Sequence, residues 1–266
     1  MQPHCSPRPQ RQRQPGTAGP RPNILNSATA RSRERGAEPT RVYLHGLGAS
    51  SPAYYAAVAT KPALAGRRSL LMDLLGHGIS DRPADASYTL EEHADLLATA
   101  LTAAGVSAAE VIAHSMGGAV AIVLAARHPH VVSALVLVDA TLDPQPPGVG
   151  IRARYAEEQF VHGDGRSETL TRVGTAWAAT MRLTGPEALY RTAAHLGRGT
   201  TPTMRELLLE LPVPRTYLHP ADNEPIGARA LTDAGVRVVA VPDAGHNIML
   251  DNPDGFVAAT AAALRA

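Results

Sequence analysis

Val111-Ile112-Ala113 forms an apolar, strand-like run that stops at His114-Ser115. The chain then passes through Met116-Gly117-Gly118 directly into a helical pattern at Ala119, Val120, Val123 and Leu124. A strand that becomes a helix with no loop between them has few options: the chain must reverse over the sheet edge in one sharp turn, which only small neighbouring residues permit. The serine hydroxyl at that turn is thereby held above the ends of the strands.

Other short apolar runs recur at Val42 to Leu44, Ser69 to Met72, Ala134 to Val138, Arg215 to Leu218 and Val236 to Val241, and helical periods separate most of them. The clearest helix starts at Thr89, where Thr89 and Glu92 fit a capping box. His93, Leu96, Leu97, Ala100, Leu101 and Ala104 follow at helical spacing, and Gly105 ends it. A last helix starts at Asn252 as cap, with Pro253 in its first turn. Strands alternating with helices imply an α/β fold, a mostly parallel central sheet flanked by helices.

The alternation breaks over residues 142–211, where three helical segments follow one another without a convincing strand. This stretch is expected to be an inserted helical lid, with residues 23–141 and 212–266 forming the core. In the middle segment Leu170, Val173, Trp177 and Met181 stand at i, i+3, i+7 and i+11, one stripe of a helix. Packing of the lid on the sheet domain is its first use, and the same side chains are candidates for an apolar substrate pocket. Residues 1–22 are rich in Pro, Gln and Arg and hold almost nothing to bury, so a disordered tail is expected. Residues 23–40 offer only Ile24 and Leu25 as large apolar groups, so any strand there is weakly specified and belongs at a sheet edge.

A chain of 266 residues suffices for one such domain plus an insertion. The formal charge is +1, and the basic excess is confined to residues 1–36, where seven arginines face Glu34 alone. No basic stripe argues for nucleic acid. Cys5 is the single cysteine, which excludes an internal disulfide or a cysteine-rich zinc site. No apolar run reaches the roughly 20 residues of a membrane span, and the N-terminus lacks the apolar centre of a secretory signal, so a cytoplasmic protein is expected. No metal or cofactor is expected: HExxH, P-loop and GxGxxG patterns are absent, and His128-Pro129-His130 lacks further spaced ligands.

A serine hydroxyl is a poor nucleophile until a base removes its proton, and the base needs a third group to fix its tautomer. His246 follows the run ending at Val241 through Pro242-Asp243-Ala244-Gly245, a turn able to swing an imidazole over the strand ends. For the acid, Asp222 ranks first, on the connection before the strand that presents His246. Asp139, at the end of Val136-Leu137-Val138, is the competitor, and Glu224 is weaker. His45-Gly46-Leu47-Gly48 brings backbone amides near the serine, and Leu47 and Met116 are the expected oxyanion donors. Gly76-His77-Gly78-Ile79-Ser80-Asp81 is read as a structural turn.

Taken together, HGLG at 45–48, GHGISD at 76–81, AHSMGG at 113–118, HPAD at 219–222 and AGHN at 244–247 resemble the α/β-hydrolase fold family, in that family's order. The likeness covers residues 23–266. It implies a Ser115, His246, Asp222 triad, oxyanion amides from Leu47 and Met116, and a helical lid. Three positions depart from the pattern: Ala113 replaces the first glycine of the serine turn, Leu75 replaces a common proline, and His219 stands where a glycine usually precedes the acid. The last keeps Asp139 in play. The expected activity is cofactor-independent hydrolysis of an ester, lactone or related small apolar acyl compound through an acyl-enzyme. Carbon-carbon bond hydrolysis on the same triad stays open, as does a non-hydrolytic ligand receptor or lyase of the same fold.

Overall fold

Period-two alternation in short runs explains the centre of the fold, because residues one apart on a strand face opposite sides of a sheet. Val42, Leu44, Val111, Ala113, Leu135 and Leu137 point to one apolar layer, while Tyr43, Ile112, Val136 and Val138 point to the other. Both faces are thus buried, as a mostly parallel sheet requires. The computed structural model describes residues 39–146 and 148–265, together with the backbone of 26–29. The expected tail at 1–22 lies outside the described residues.

The strands are β1 Asn26–Thr29, β2 Arg41–Leu44, β3 Ser69–Met72, β4 Ala109–His114, β5 Val132–Val138, β6 Arg215–Pro220 and β7 Arg237–Val241. They form one sheet in the order β1-β3-β2-β4-β5-β6-β7. β1 is antiparallel and lies at the edge, where the poor apolar content before Arg41 pointed; the other six are parallel.

The helices are α1 Ser51–Ala59, α2 Leu90–Ala103, α3 Met116–Arg127, α4 Ile151–Arg154, α5 Glu157–Val161, α6 Gly165–Arg172, α7 Thr175–Met181, α8 Pro186–Arg198, α9 Met204–Glu210, α10 Ala228–Asp233, α11 Ile248–Asp251 and α12 Pro253–Ala263. Among the described residues none is long and apolar enough to cross a membrane. α2 and α3 cover the first face of the sheet, and α1 and α12 cover the second.

Thr89 caps α2 by accepting from the Glu92 N–H at 3.1 Å. The reciprocal half of the expected box is displaced: the Glu92 carboxylate accepts from Tyr88 N at 2.6 Å and Ser87 Oγ at 2.8 Å. Gly105, at φ 71°, ends α2, with Val106 N donating to Leu101 O and Gly105 N to Thr102 O. Asn252 caps α12 through Gly255 N at 2.9 Å.

Between β5 and β6 the chain forms six helices, α4 to α9, where three segments were expected. The expected stripe does not lie on one helix. Gly174, at φ 81°, breaks the segment into α6 and α7, so Leu170 and Val173 precede a turn while Trp177 and Met181 follow it. Leu170, Val173 and Met181 pack with Phe160 and Leu189 in a small separate cluster.

Four of the five buried histidines among the described residues, His45, His77, His93 and His114, stand where the strand ends meet these helices. The His45 and His77 rings are 5.0 Å apart, His77 and His93 6.1 Å apart, and His93 Nε2 reaches Thr192 Oγ1 of α8 at 3.1 Å. Burial, the largest cause throughout, lowers His45 to about 4 and His77 and His114 to about 3, and holds His93 well below the ordinary value. These rings stay neutral in the folded chain at pH values where the unfolded chain protonates them. Stability is therefore complete above the ordinary histidine value of 6.5 and falls as pH drops below it. Each ring adds a slope of up to about 1.4 kcal/mol per pH unit. Urea titrations at pH 7.5 and pH 5 should show a large loss at the lower pH, and equal midpoints would contradict the neutral buried state.

Candidate active site

Ser115 lies between β4 and α3 at φ 50° and ψ −117°, a conformation unfavourable for a residue with a Cβ. Its N–H donates to Val138 O at 3.0 Å, and its carbonyl accepts from Gly118 N at 3.0 Å and Thr141 N at 3.2 Å, so β5 and α3 fix the turn from both sides. Close approach makes the turn possible. A Cβ on Gly117 would lie 2.4 Å from the His45 carbonyl oxygen and 3.0 Å from that of Leu44, both backbone atoms at the end of β2.

His246 follows β7, and its Nδ1 lies 2.7 Å from Asp139 Oδ2. A carboxylate accepts this hydrogen bond, so the proton in it sits on Nδ1. The carboxylate that meets His246 belongs to Asp139, the competitor to Asp222 in the sequence reading. Asp139 follows β5 at φ 41°, a kink that turns its side chain back over the sheet edge. Asp222 sits exposed in the turn after β6 and makes no hydrogen bond to the imidazole. β6 pairs with β7 as far as Pro220 and Val241, two residues beyond the expected strand end, and Ala221 N still donates to Val241 O. Glu224 is exposed in the same connection.

Ser115 and His246 line one cavity of about 390 Å³, whose wall also includes Gly46, Leu47, Tyr54 and Trp177. The hydrogen bond between Ser115 Oγ and His246 Nε2 is not formed in this structure. The imidazole is 51% exposed. Of the four stripe residues only Trp177 reaches the cavity. Leu170, Val173 and Met181 do not, because the break at Gly174 turns them into the cluster around Phe160.

Beside the serine, the N–H of Met116 opens α3, and that of Leu47 lies in the loop after β2; neither has an acceptor among the described residues. The loop is held from two directions. His45 accepts from Leu74 N at Nε2 (3.0 Å) and donates from Nδ1 to Gly46 O at 2.7 Å. From the insertion, Trp177 Nε1 donates to Leu47 O at 2.9 Å, and Met181 packs on Gly48. His77 is buried and hydrogen-bonds Leu75 O at 3.0 Å, away from the cavity wall.

Sequence reasoning missed several wall residues. His114 donates from Nε2 to the His246 carbonyl at 2.9 Å, and its ring lies 4.5 Å from that of His246. Tyr54, Thr141, Gln145, Leu196 and Asn247 complete the wall. Thr141 and Asn247 could have been found as near neighbours of Asp139 and His246, whereas Gln145 and Leu196 meet only through the path of the insertion. No group of three His, Cys, Asp or Glu side chains among the described residues could hold a metal ion, and His128 instead bonds Asp95 at 2.6 Å.

A family model described as alpha/beta hydrolase fold matches residues 42–206. The chain is 30% identical over 246 residues to an sn-1-specific diacylglycerol lipase of Mus musculus, covering 82% of this chain and 78% of that protein. It is 31% identical over 112 residues to a 2-hydroxymuconate semialdehyde hydrolase of Pseudomonas putida, covering 42% of this chain and 40% of that protein. Among solved structures, the enol-lactonase from Burkholderia xenovorans matches with a TM-score of 0.74 at 19% identity, over 92% of this chain and 96% of that one, which shows a shared fold. These relatives are hydrolases.

Gly117→Ala should lower stability by about 1–3 kcal/mol, since its methyl group would meet backbone carbonyls that cannot rotate away. Urea titration measures the loss, and an unchanged midpoint would show that the turn has more room than these contacts allow.

Proposed function

Because the chain belongs to the alpha/beta hydrolase fold family, we propose that it is a serine hydrolase cleaving an ester, lactone or related acyl compound through an acyl-enzyme on Ser115. The observation that carries this reading is the hydrogen bond from His246 to Asp139, with His246 lining a cavity that also holds Ser115 in a strained turn.

In this reading His246 Nε2 takes the proton of Ser115 Oγ as the oxygen attacks the acyl carbon. Asp139 stabilises the imidazolium that forms. The charge developing on the substrate's carbonyl oxygen falls to the N–H groups of Leu47 and Met116, an arrangement worth about 3 kcal/mol for one well-aimed donor. The intermediate then collapses, and the leaving group departs with the proton from Nε2. Water attacks the acyl-enzyme with the same imidazole as base, which frees the acid and restores the serine. Helices α4 to α9 act as the lid, and Trp177 of α7 and Leu196 of α8 are the parts of it that face the bound acyl group. Trp177 and Met181 also brace the loop that carries the Leu47 amide.

Ser115→Ala should abolish labelling by a fluorophosphonate probe and turnover of p-nitrophenyl butyrate while leaving the thermal melt nearly unchanged. Labelling that survives at another residue would refute the nucleophile. For the acid, Asp139→Asn should lower kcat by on the order of 1,000-fold or more, because an amide cannot fix the same tautomer. Asp222→Asn, on the exposed turn, should stay within about twofold of the parent. The reverse ranking in steady-state kinetics would return the acid to Asp222.

A further inference from the structure

We infer that the cavity beside Ser115 accepts uncharged acyl groups and rejects those that carry a carboxylate. This rests on the hydrolase reading and adds the substrate's charge class to it.

The polar side chains of the wall beyond Ser115 and the two histidines are Tyr54, Thr141, Gln145, Asn247 and Trp177, all uncharged. No lysine or arginine contributes to the wall. Arg152, which approaches Gln145 over Gly197, is exposed on α4 and is not part of it. The full charges bonded to His246 and to the turn that leads to it are instead negative. Asp139 is bonded to His246, and Asp251 accepts from Gly245 N at 3.0 Å in the turn that leads to His246. Tyr54 senses this field: burial first, and the Asp251 carboxylate second, push its hydroxyl up from the usual value.

A second carboxylate brought into this space would lose its water, find no cation, and face two like charges. An uncharged chain of the same length loses little and buries apolar surface against Leu47, Leu196 and Trp177. His114 does not supply the missing cation, since burial and the neighbouring His246 keep it neutral at physiological pH. His246 is the base of the reaction and must enter it neutral, so it does not supply one either. Discrimination against an anionic acyl group of equal length should therefore be at least about 100-fold.

The matched substrates are p-nitrophenyl butyrate, p-nitrophenyl hemisuccinate and the methyl ester of the latter. They separate charge from length and polarity. The expected kcat/KM for the hemisuccinate is at least about 100-fold below that for the butyrate, with most of the loss recovered by the methyl ester. Gln145→Arg should then narrow the gap by about tenfold or more. Binding is read separately in Ser115→Ala through the fluorescence of Trp177, the chain's one tryptophan and part of the wall. Butyramide should shift the emission at concentrations where succinamate does not. Equal kcat/KM for the butyrate and hemisuccinate, or equal binding of the two amides, would overturn the charge selectivity. Selective binding with no turnover of any ester would support the selectivity while sinking the hydrolytic reading.

Discussion

The hydrogen bond from His246 Nδ1 to Asp139 Oδ2 is the interaction on which the rest of the site depends. In the proposed reaction it decides which ring nitrogen is bare and so whether a base faces the cavity. The bond spans two strands that are not neighbours, since β6 lies between β5 and β7. It can form only because the chain kinks sharply as it leaves each flanking strand. Asp139 and Asp243 adopt φ of 41° and 51° just after β5 and β7, and Ser115 adopts 50° just after β4. Each such residue costs on the order of 1–3 kcal/mol, and the conformation persists where surrounding structure over-determines it. Here the surroundings are a sheet buried on both faces and the main-chain hydrogen bonds that pin Ser115 to β5 and Asp139 to β6.

A second set of contacts ties the helices between β5 and β6 to the rest of the fold. Trp177 and Met181 of α7 meet the loop after β2, while Thr192 of α8 meets His93 of α2. The His45 ring joins that loop to the end of β3 through Leu74 N, and the His114 ring joins β4 to the chain segment bearing His246. A neutral imidazole suits the place of His45, which donates from Nδ1 and accepts at Nε2 within a dry interior, whereas Nδ1 of His93 and of His114 has no partner. The same neutrality makes the arrangement sensitive to acid.

Much of this was legible in the sequence because it follows from period and chain order. Alternating apolar runs located the six parallel strands, and Thr89, Gly105 and Asn252 marked helix ends by chemistry that is local to a few residues. The serine turn was legible for the same reason: Gly117 is small where two backbones meet. Choosing between Asp139 and Asp222 was not a local question. Both follow strands, and only the folded chain shows that Asp139 meets His246 across the intervening β6. The stripe at Leu170, Val173, Trp177 and Met181 failed because the spacing ignored Gly174, whose left-handed conformation ends one helix before the next begins. Gln145 and Leu196 carry no signal in sequence at all, since only the folded path of the insertion brings them to the cavity.

The most direct test of this account is the protonation state of the His246 ring, read by nitrogen-15 and proton resonance on histidine-labelled protein at pH 7.5. The account predicts a proton on Nδ1, strongly deshielded by the Asp139 carboxylate, and a bare Nε2. That signal should persist in Asp222→Asn and vanish or shift in Asp139→Asn. A proton on Nε2 instead, or a signal lost with Asp222 and kept without Asp139, would contradict it.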